Sequence, residues 1–391
     1  MNAEPNGRLL GRTVELFHHD ADPAWGYETS QTDTFAVIHP ENEQAGQAYP
    51  LYVVFHSAGH DVYSAIGCTW AKGNHDIYHT PAHTFALYVD CRAHEDQDWW
   101  WGGINAHGEG DPGRAGTDLQ PVEKRVLDTV RWVLDRYPID ADRVYAVGNS
   151  MGGSGALGVC LNHGDLFAAI KVNVPAGVRH AADRCCLDAP APAGFSLPDP
   201  PVVIDYSAQN DEWSDGHEVL YRGMAEKKYA LIGFWGPFGH ANDNAVMEAK
   251  NDLIHALPLE SIVRNQPYPV FTAASTDDPL PWPDRRDSQA AGQVNGFFRW
   301  ENRLDLPGAF EMRLFLLTPD RWQTRVTLPA ASTADVTLRR LRYFRPAPGQ
   351  KIRYRFGTQQ GTVLVGDDGL ITVPRLSVPA DGENLILQKE A

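Results

Sequence analysis

RVYAVGNSMGGSGALGVCL, residues 143–161, is the stretch whose reading decides the fold. A strand-like run, Val144-Tyr145-Ala146-Val147, enters Gly148-Asn149-Ser150-Met151-Gly152, which fits G-x-S-x-G, and a small-residue helical stretch follows. The spacing has a mechanical basis. A serine on a strained strand-to-helix turn needs glycines two residues to either side so that the backbone can approach closely. Its hydroxyl is then exposed at the carboxyl end of a sheet, beside a helix N-terminus that favours developing negative charge. Ser150 is the expected nucleophile.

Working outward, short apolar runs alternate with helical patterns from about residue 34. Strands are expected at 35–39, 51–55, 85–90, 144–148, 168–174, 202–207 and 230–235. Several are continuously apolar, as in strands buried on both faces of a mostly parallel sheet. Residues 121–137 place Val122, Val126, Val130, Val133 and Leu134 on one helical stripe, with Pro121 suited to the first turn and Pro138 marking the stop. Repeated strand–helix units indicate an α/β fold, with helices on both faces of the sheet. No repeat of solenoid or propeller type is visible.

Composition divides the 391 residues. Up to residue 269, 18 basic against 36 acidic residues give −18; beyond it, 16 against 14 give +2. All 15 histidines and all five cysteines lie in the first part. The expected organisation is a catalytic α/β domain over 1–268 and an accessory domain over 269–391. STDDPLPWPDRRDSQAAG, residues 275–292, reads as a linker. Beyond it, strands are expected at 310–318, 324–328, 335–341, 351–356, 362–365, 370–373 and 384–388, an all-β sandwich of about 110 residues that contributes no catalytic group. The arginine-rich run Leu338-Arg339-Arg340-Leu341-Arg342 is expected to face the acidic domain.

A formal charge of −16 argues against a nucleic-acid partner. No window reaches the ~18 apolar residues of a membrane span. The N-terminal residues carry no secretory h-region, so the chain is expected to be intracellular, or secreted or periplasmic if a signal has been removed. Cys68, Cys91, Cys160, Cys185 and Cys186 match no zinc or disulfide spacing, though one disulfide stays open. Cys160 is expected as a small core residue behind Ser150.

The run Ile139-Asp140-Ala141-Asp142-Arg143-Val144-Tyr145, leading into Gly148-Asn149-Ser150-Met151-Gly152-Gly153, resembles the α/β-hydrolase superfamily. Within it, the chain is most similar to the esterase and polyhydroxyalkanoate-depolymerase group that includes feruloyl and acetyl-xylan esterases, over residues 34–260. The resemblance implies a serine esterase working through an acyl-enzyme, with the triad in the order serine, acid, histidine. Asp211, in the turn after strand 202–207, is the implied acid; Asp205 falls mid-strand as a structural residue, and Asp215 is the competitor. His240, in the Gly-His pair after the last strand, is the implied base, with His217 its nearest rival. The oxyanion donors are the N–H of Met151 and one from Ser57 or Ala58, where His-Ser-Ala-Gly replaces the His-Gly-Gly common in relatives.

Trp99, Trp100 and Trp101 are candidates for a glycan platform, with packing as the alternative. His75, His79 and His83 recur every fourth residue, but Pro81 interrupts any helix that would align them. No metal and no cofactor is expected. The stretch 177–200 either covers the site or is a surface excursion. An ester of a decorated polysaccharide is the expected substrate, with acetyl or feruloyl as the acyl group. Competing readings are a polyester depolymerase, a short-chain carboxylesterase, a peptidase of prolyl-oligopeptidase type, and a silent binding module.

Overall fold

The structure, a computed structural model, describes residues 2–27, 30–68, 73–91, 100, 119–193, 197–240 and 248–390. The first region runs β1 (Asn2–Leu9), β2 (Arg12–Asp20), β3 (Thr32–Ile38), β4 (Tyr49–Phe55), α1 (Val62–Gly67), β5 (Phe85–Tyr88), α2 (Pro121–Arg136), β6 (Ile139–Asn149), α3 (Met151–Cys160), β7 (Ala169–Asn173), α4 (Val178–Arg184), β8 (Val202–Ala208), α5 (His217–Glu226), β9 (Leu231–Gly236) and α6 (Glu248–His255). The second continues with β10 (Tyr268–Thr272), β11 (Gly292–Val294), β12 (Phe298–Leu306), β13 (Ala309–Leu316), β14 (Ala331–Arg339), β15 (Lys351–Phe356), β16 (Gln359–Leu364), β17 (Ile371–Pro379) and β18 (Glu383–Lys389).

Ten strands form one sheet in the order β1-β2-β3-β5-β4-β6-β7-β8-β9-β11. The six from β5 to β9 in that order are parallel, and the outer ones pair antiparallel. The central strands are mainly apolar because both faces are covered: β4, YPLYVVF, is buried throughout. The order reverses between β4 and β6, the kind of place where α/β proteins gather their sites at the carboxyl ends of strands.

The helix expected at 121–137 is α2. Val122, Val126, Val130 and Val133 are buried, and Gln120 N–H donates to Glu123 Oε2 (2.6 Å) at its start. Glu123 and Arg184 form a buried ion pair at 2.7 Å. Burial pushes the Glu123 carboxyl up, and Arg184 opposes that shift. Within the stretch 177–200, Val178–Arg184 form α4, which packs on α3 and α5. All five cysteines are free thiols. Burial raises those of Cys160 and Cys185, and Cys185 Sγ donates to Asn162 Oδ1 at 2.9 Å.

In the second region the sheets β10-β14-β17 and β12-β13-β18-β15-β16 pack face to face. Val336, Leu338, Val373 and Leu376 meet Met312, Leu314, Leu385 and Leu387 in their core. Residues 324–328, expected as a strand, form none: Arg325 is drawn instead to Asp252 of α6 at 2.9 Å. The hairpin β1–β2 and strand β12 lie where no strand was expected. Arg339 and Arg340 do face the first region. Arg339 pairs with Asp199 (2.8 Å), whereas Arg340 donates mainly to backbone carbonyls, including Phe167 O (2.9 Å).

The linker expectation for 275–292 requires correction. The segment returns to the large sheet, ending in β11, which pairs with β9. Trp282 within it is buried against His217, Tyr221 and Trp235. The physical reason is that Trp282, hidden among Pro and Asp in the sequence, anchors the segment by apolar burial.

Candidate active site

Ser150 sits between the carboxyl end of β6 and the first residue of α3, with φ 55° and ψ −123°. A non-glycine residue there is strained and held by its surroundings. Ser150 N–H donates to Asn173 O (3.0 Å), and Ser150 O accepts from Ser154 N–H and Ala176 N–H (both 3.1 Å). The flanking glycines are required by contact. A Cβ on Gly148 would lie 2.2 Å from Gly152 O, and one on Gly152 would lie 2.1 Å from Phe55 O. The elbow therefore packs directly on the end of β4.

The turn after β8 brings Asp211 to the same place, and the loop after β9 brings His240. Ser150 Oγ is 2.8 Å from His240 Nε2, and His240 Nδ1 is 2.7 Å from Asp211 Oδ2. A carboxylate only accepts, so Nδ1 carries the proton and Nε2 is left to accept from the serine. Asp211 is buried and also accepts the Trp213 N–H at 2.9 Å, while His240 is about a third exposed. Gly239 N–H donates to Asn210 Oδ1 (2.8 Å), tying the histidine loop to the acid turn. The competitors lie elsewhere: His217 is fully buried, and it is Asp211 that meets His240 Nδ1.

The two early-loop candidates separate. Ser57 N–H donates to the Tyr78 hydroxyl at 2.8 Å, which removes it as an oxyanion donor. Ser57 Oγ donates to Asn149 O (3.0 Å) and accepts from Asn149 Nδ2 (2.9 Å), so this serine stitches the loop to the nucleophile strand. Ala58 follows it and is exposed. Met151 opens α3, where a helix leaves its first N–H groups without intrahelical partners. Tyr78 and Asn149 were missed in the sequence because their roles arise from packing across 21 and 92 residues of chain.

The tryptophan platform is corrected for Trp100, whose side chain is fully buried. Its ring packs against Gly155 of α3, its indole N–H donates to His56 O (3.0 Å), and it meets Phe55 edge-on. A wide aromatic face is hidden there because the small residue at 155 leaves a ring-sized hollow behind the elbow. Trp99 and Trp101 lie outside the described residues. The aromatic groups beside the array are others: Trp213 lies 6.4 Å from the His240 ring, and His75 stacks on Tyr78 at 5.6 Å with His60 beside both. Burial lowers the pKa of both His60 and His75; His75 adds to the shift of His60, and His240 to that of His75. His83 turns away to Glu260 (2.7 Å). Among the described residues, no three or more His, Cys, Asp or Glu are placed to hold a metal ion. No helix among them is long and apolar enough to cross a membrane.

A mostly parallel sheet with a serine elbow, and with an acid and a histidine from later loops, defines an α/β-hydrolase fold. The family model Esterase, described as "Putative esterase", matches residues 28–252, and the chain belongs to that family of carboxylic ester hydrolases. No curated protein matches the sequence. Among solved structures, the chain is similar to an S-formylglutathione hydrolase from Agrobacterium tumefaciens, with 14% identity, 62% of this chain and 93% of that one covered, and a TM-score of 0.42. It is also similar to a thermostable esterase (22% identity, 57% and 55% covered, TM-score 0.41) and to a ferulic acid esterase (13%, 58% and 92%, 0.40).

Proposed function

We propose that Ser150, His240 and Asp211 are the catalytic triad of this serine esterase, acting by two-step acyl transfer. The supporting observation is the continuous hydrogen-bonded line from Ser150 Oγ through His240 to Asp211 Oδ2, at 2.8 and 2.7 Å. Ser150 attacks the ester carbonyl while His240 Nε2 takes its proton, and Asp211 holds the imidazole and stabilises its charged form. The N–H groups of Met151 and Ala58 receive the oxyanion, each worth about 2.7–4 kcal/mol of transition-state stabilisation. His240 then protonates the leaving alcohol, and water reverses the sequence to release the acid. The triad itself consumes no redox equivalents.

The substrate reading is an acetyl or feruloyl ester on a polysaccharide or oligosaccharide. Its support is the half-buried rings beside the histidine: Trp213 on one side, with His75 and His60 near the elbow. Flat rings suit both the apolar face of a sugar and a feruloyl ring. The test is a panel of acetylated xylan, methyl ferulate, p-nitrophenyl acetate and polyhydroxybutyrate, with fluorophosphonate titration of Ser150 in parallel. Labelling at Ser150 with turnover of the first two supports the reading. Turnover confined to polyhydroxybutyrate overturns the substrate class, and absence of labelling overturns the triad.

A further inference from the structure

The turn that carries Asp211 is gripped from outside by residues 276–295, part of the stretch that reads as a linker. This loop is closed at its neck. Asp278 N–H donates to Gln293 O and Gln293 N–H to Asp278 Oδ2 (both 2.9 Å), while Asn295 N–H donates to Asp277 Oδ1 (2.8 Å). Asn295 Nδ2 reaches Leu231 O (2.9 Å) and Phe271 O (3.0 Å), anchoring the neck to both regions of the molecule. The body of the loop then lies on the acid turn. Arg286 donates through Nε to Gln209 O (3.2 Å), through Nη2 to Ser214 Oγ (3.1 Å), and to Asp211 O. Gln209 Nε2 answers with Ser288 O (2.5 Å) and Ala290 O (3.2 Å). Trp282 stacks on His217 at 4.8 Å and donates its indole N–H to Ser214 Oγ (3.2 Å).

We propose that this loop is a brace for the catalytic acid, with Arg286 the positioning residue that fixes the Asp211 turn. The proposal rests on Asp211 being the triad acid. Arg286 touches no reacting atom; it binds carbonyls on both sides of the turn with one rigid planar group. Without it, the Asp211 carbonyl keeps the donors of its own turn, Ser214 N–H (3.2 Å) and Ser214 Oγ (2.8 Å), and loses the group that ties it to Gln209 O across the turn. The carboxylate must meet the imidazole within a few tenths of an ångström, and a displacement of about 1 Å can cost about 10²-fold in rate. The C-terminal region is on this account required for turnover, although it supplies no catalytic group.

The experiment uses the full chain with Arg286→Ala, Arg286→Lys and, as a comparison, Arg339→Ala, which breaks contacts to Asp199 far from the acid turn. Arg286→Ala is expected to lower kcat on p-nitrophenyl acetate by about 10- to 100-fold with KM within about threefold. The rate of fluorophosphonate labelling at Ser150 is expected to fall in parallel. Arg286→Lys, or millimolar guanidinium added to Arg286→Ala, restores part of the loss. Arg339→Ala lowers the unfolding midpoint but keeps kcat. If Arg286→Ala does not fold, Arg286→Gln, which keeps a single donor group, takes its place. Wild-type kcat in the Arg286 variant overturns the brace. So does a loss of kcat that merely follows the unfolding midpoint in both Arg286→Ala and Arg339→Ala. Failure of the underlying triad reading looks different: the wild-type protein would not label at Ser150, or Asp211→Asn would turn over normally.

Discussion

Two serine–histidine–aspartate clusters stand side by side in this molecule, Ser150–His240–Asp211 and Ser207–His217–Asp205, and they are wired in different orders. In the first, histidine lies between serine and acid. In the second, serine lies in the middle: Ser207 Oγ is 2.9 Å from both Asp205 oxygens and 2.8 Å from His217 Nε2. His217 Nδ1 faces Ser214 O at 2.8 Å, and a carbonyl only accepts, so that nitrogen carries a proton. One hydroxyl proton cannot serve both the Asp205 carboxylate and the His217 lone pair. A further proton is therefore held on Asp205 or His217, and the cluster is neutral either way. Burial pushes the Asp205 carboxyl up, which agrees with that count, and Tyr221 donates to it at 2.7 Å. All three residues are at 0% exposure, whereas His240 is a third exposed. The lesson is that residue types do not make a nucleophile. The order of the groups matters: in the first cluster the histidine lies between hydroxyl and acid, with Nε2 facing the serine, whereas in the second the hydroxyl itself is shared between acid and base.

The contrast can be broken by experiment. Ser150→Ala should lower ester hydrolysis by on the order of 10⁵-fold with the unfolding midpoint nearly unchanged. Residual hydrolysis above about one per cent of wild type would place the nucleophile elsewhere. Asp211→Asn should cost about 10⁴-fold, because an amide holds the imidazole in the wrong tautomer. Asp215→Asn is the comparison, and a larger loss there would move the acid.

Ser207→Ala should do the reverse. It strips the buried Asp205 and His217 of their shared hydroxyl, so urea unfolding should show a loss of about 1–3 kcal/mol. The kcat of the folded variant should stay within about twofold; a catalytic collapse with unchanged stability would show that the second cluster takes part in the chemistry.

The smallest effect concerns Asp277, at the neck of the bracing loop. Burial, joined by the charge of Asp278, pushes its carboxyl up to about 7 even though the Asn295 N–H favours the ionised form. Unfolded, the group returns to about 4, so its folded value lies above its unfolded one. Its contribution to stability is present below about pH 4 and is lost as pH rises through about 7. Asp277→Asn, which keeps the acceptor for Asn295, should raise the unfolding midpoint by about 2 °C at pH 8 and leave it unchanged at pH 4. An equal shift at both pH values would sink this reading of Asp277.

Much of this was readable in the chain because it is local. The G-x-S-x-G spacing is a steric requirement written within five residues, and contacts at 2.1–2.2 Å for a Cβ on Gly148 or Gly152 show why both positions are glycine. The apolar runs of β4 and β6–β9 and the valine stripe of α2 are periodicities that burial imposes on sequence. Positions 211 and 240 were legible through the resemblance, which places the acid and the base after the strand ends that are here β8 and β9. Other features were decided only when distant segments met. Trp100 could be platform or filler until the hollow at Gly155 took its ring. Ser57 and Ala58 were equivalent until Tyr78 claimed the Ser57 N–H. The Pro- and Asp-rich stretch holding Trp282 and Arg286 has the composition of a linker, and nothing nearby in the chain says that their partners are the Asp211 turn and His217. Local rules fix a turn or a periodicity, while the partner of a side chain tens of residues away is chosen by the packing of the whole.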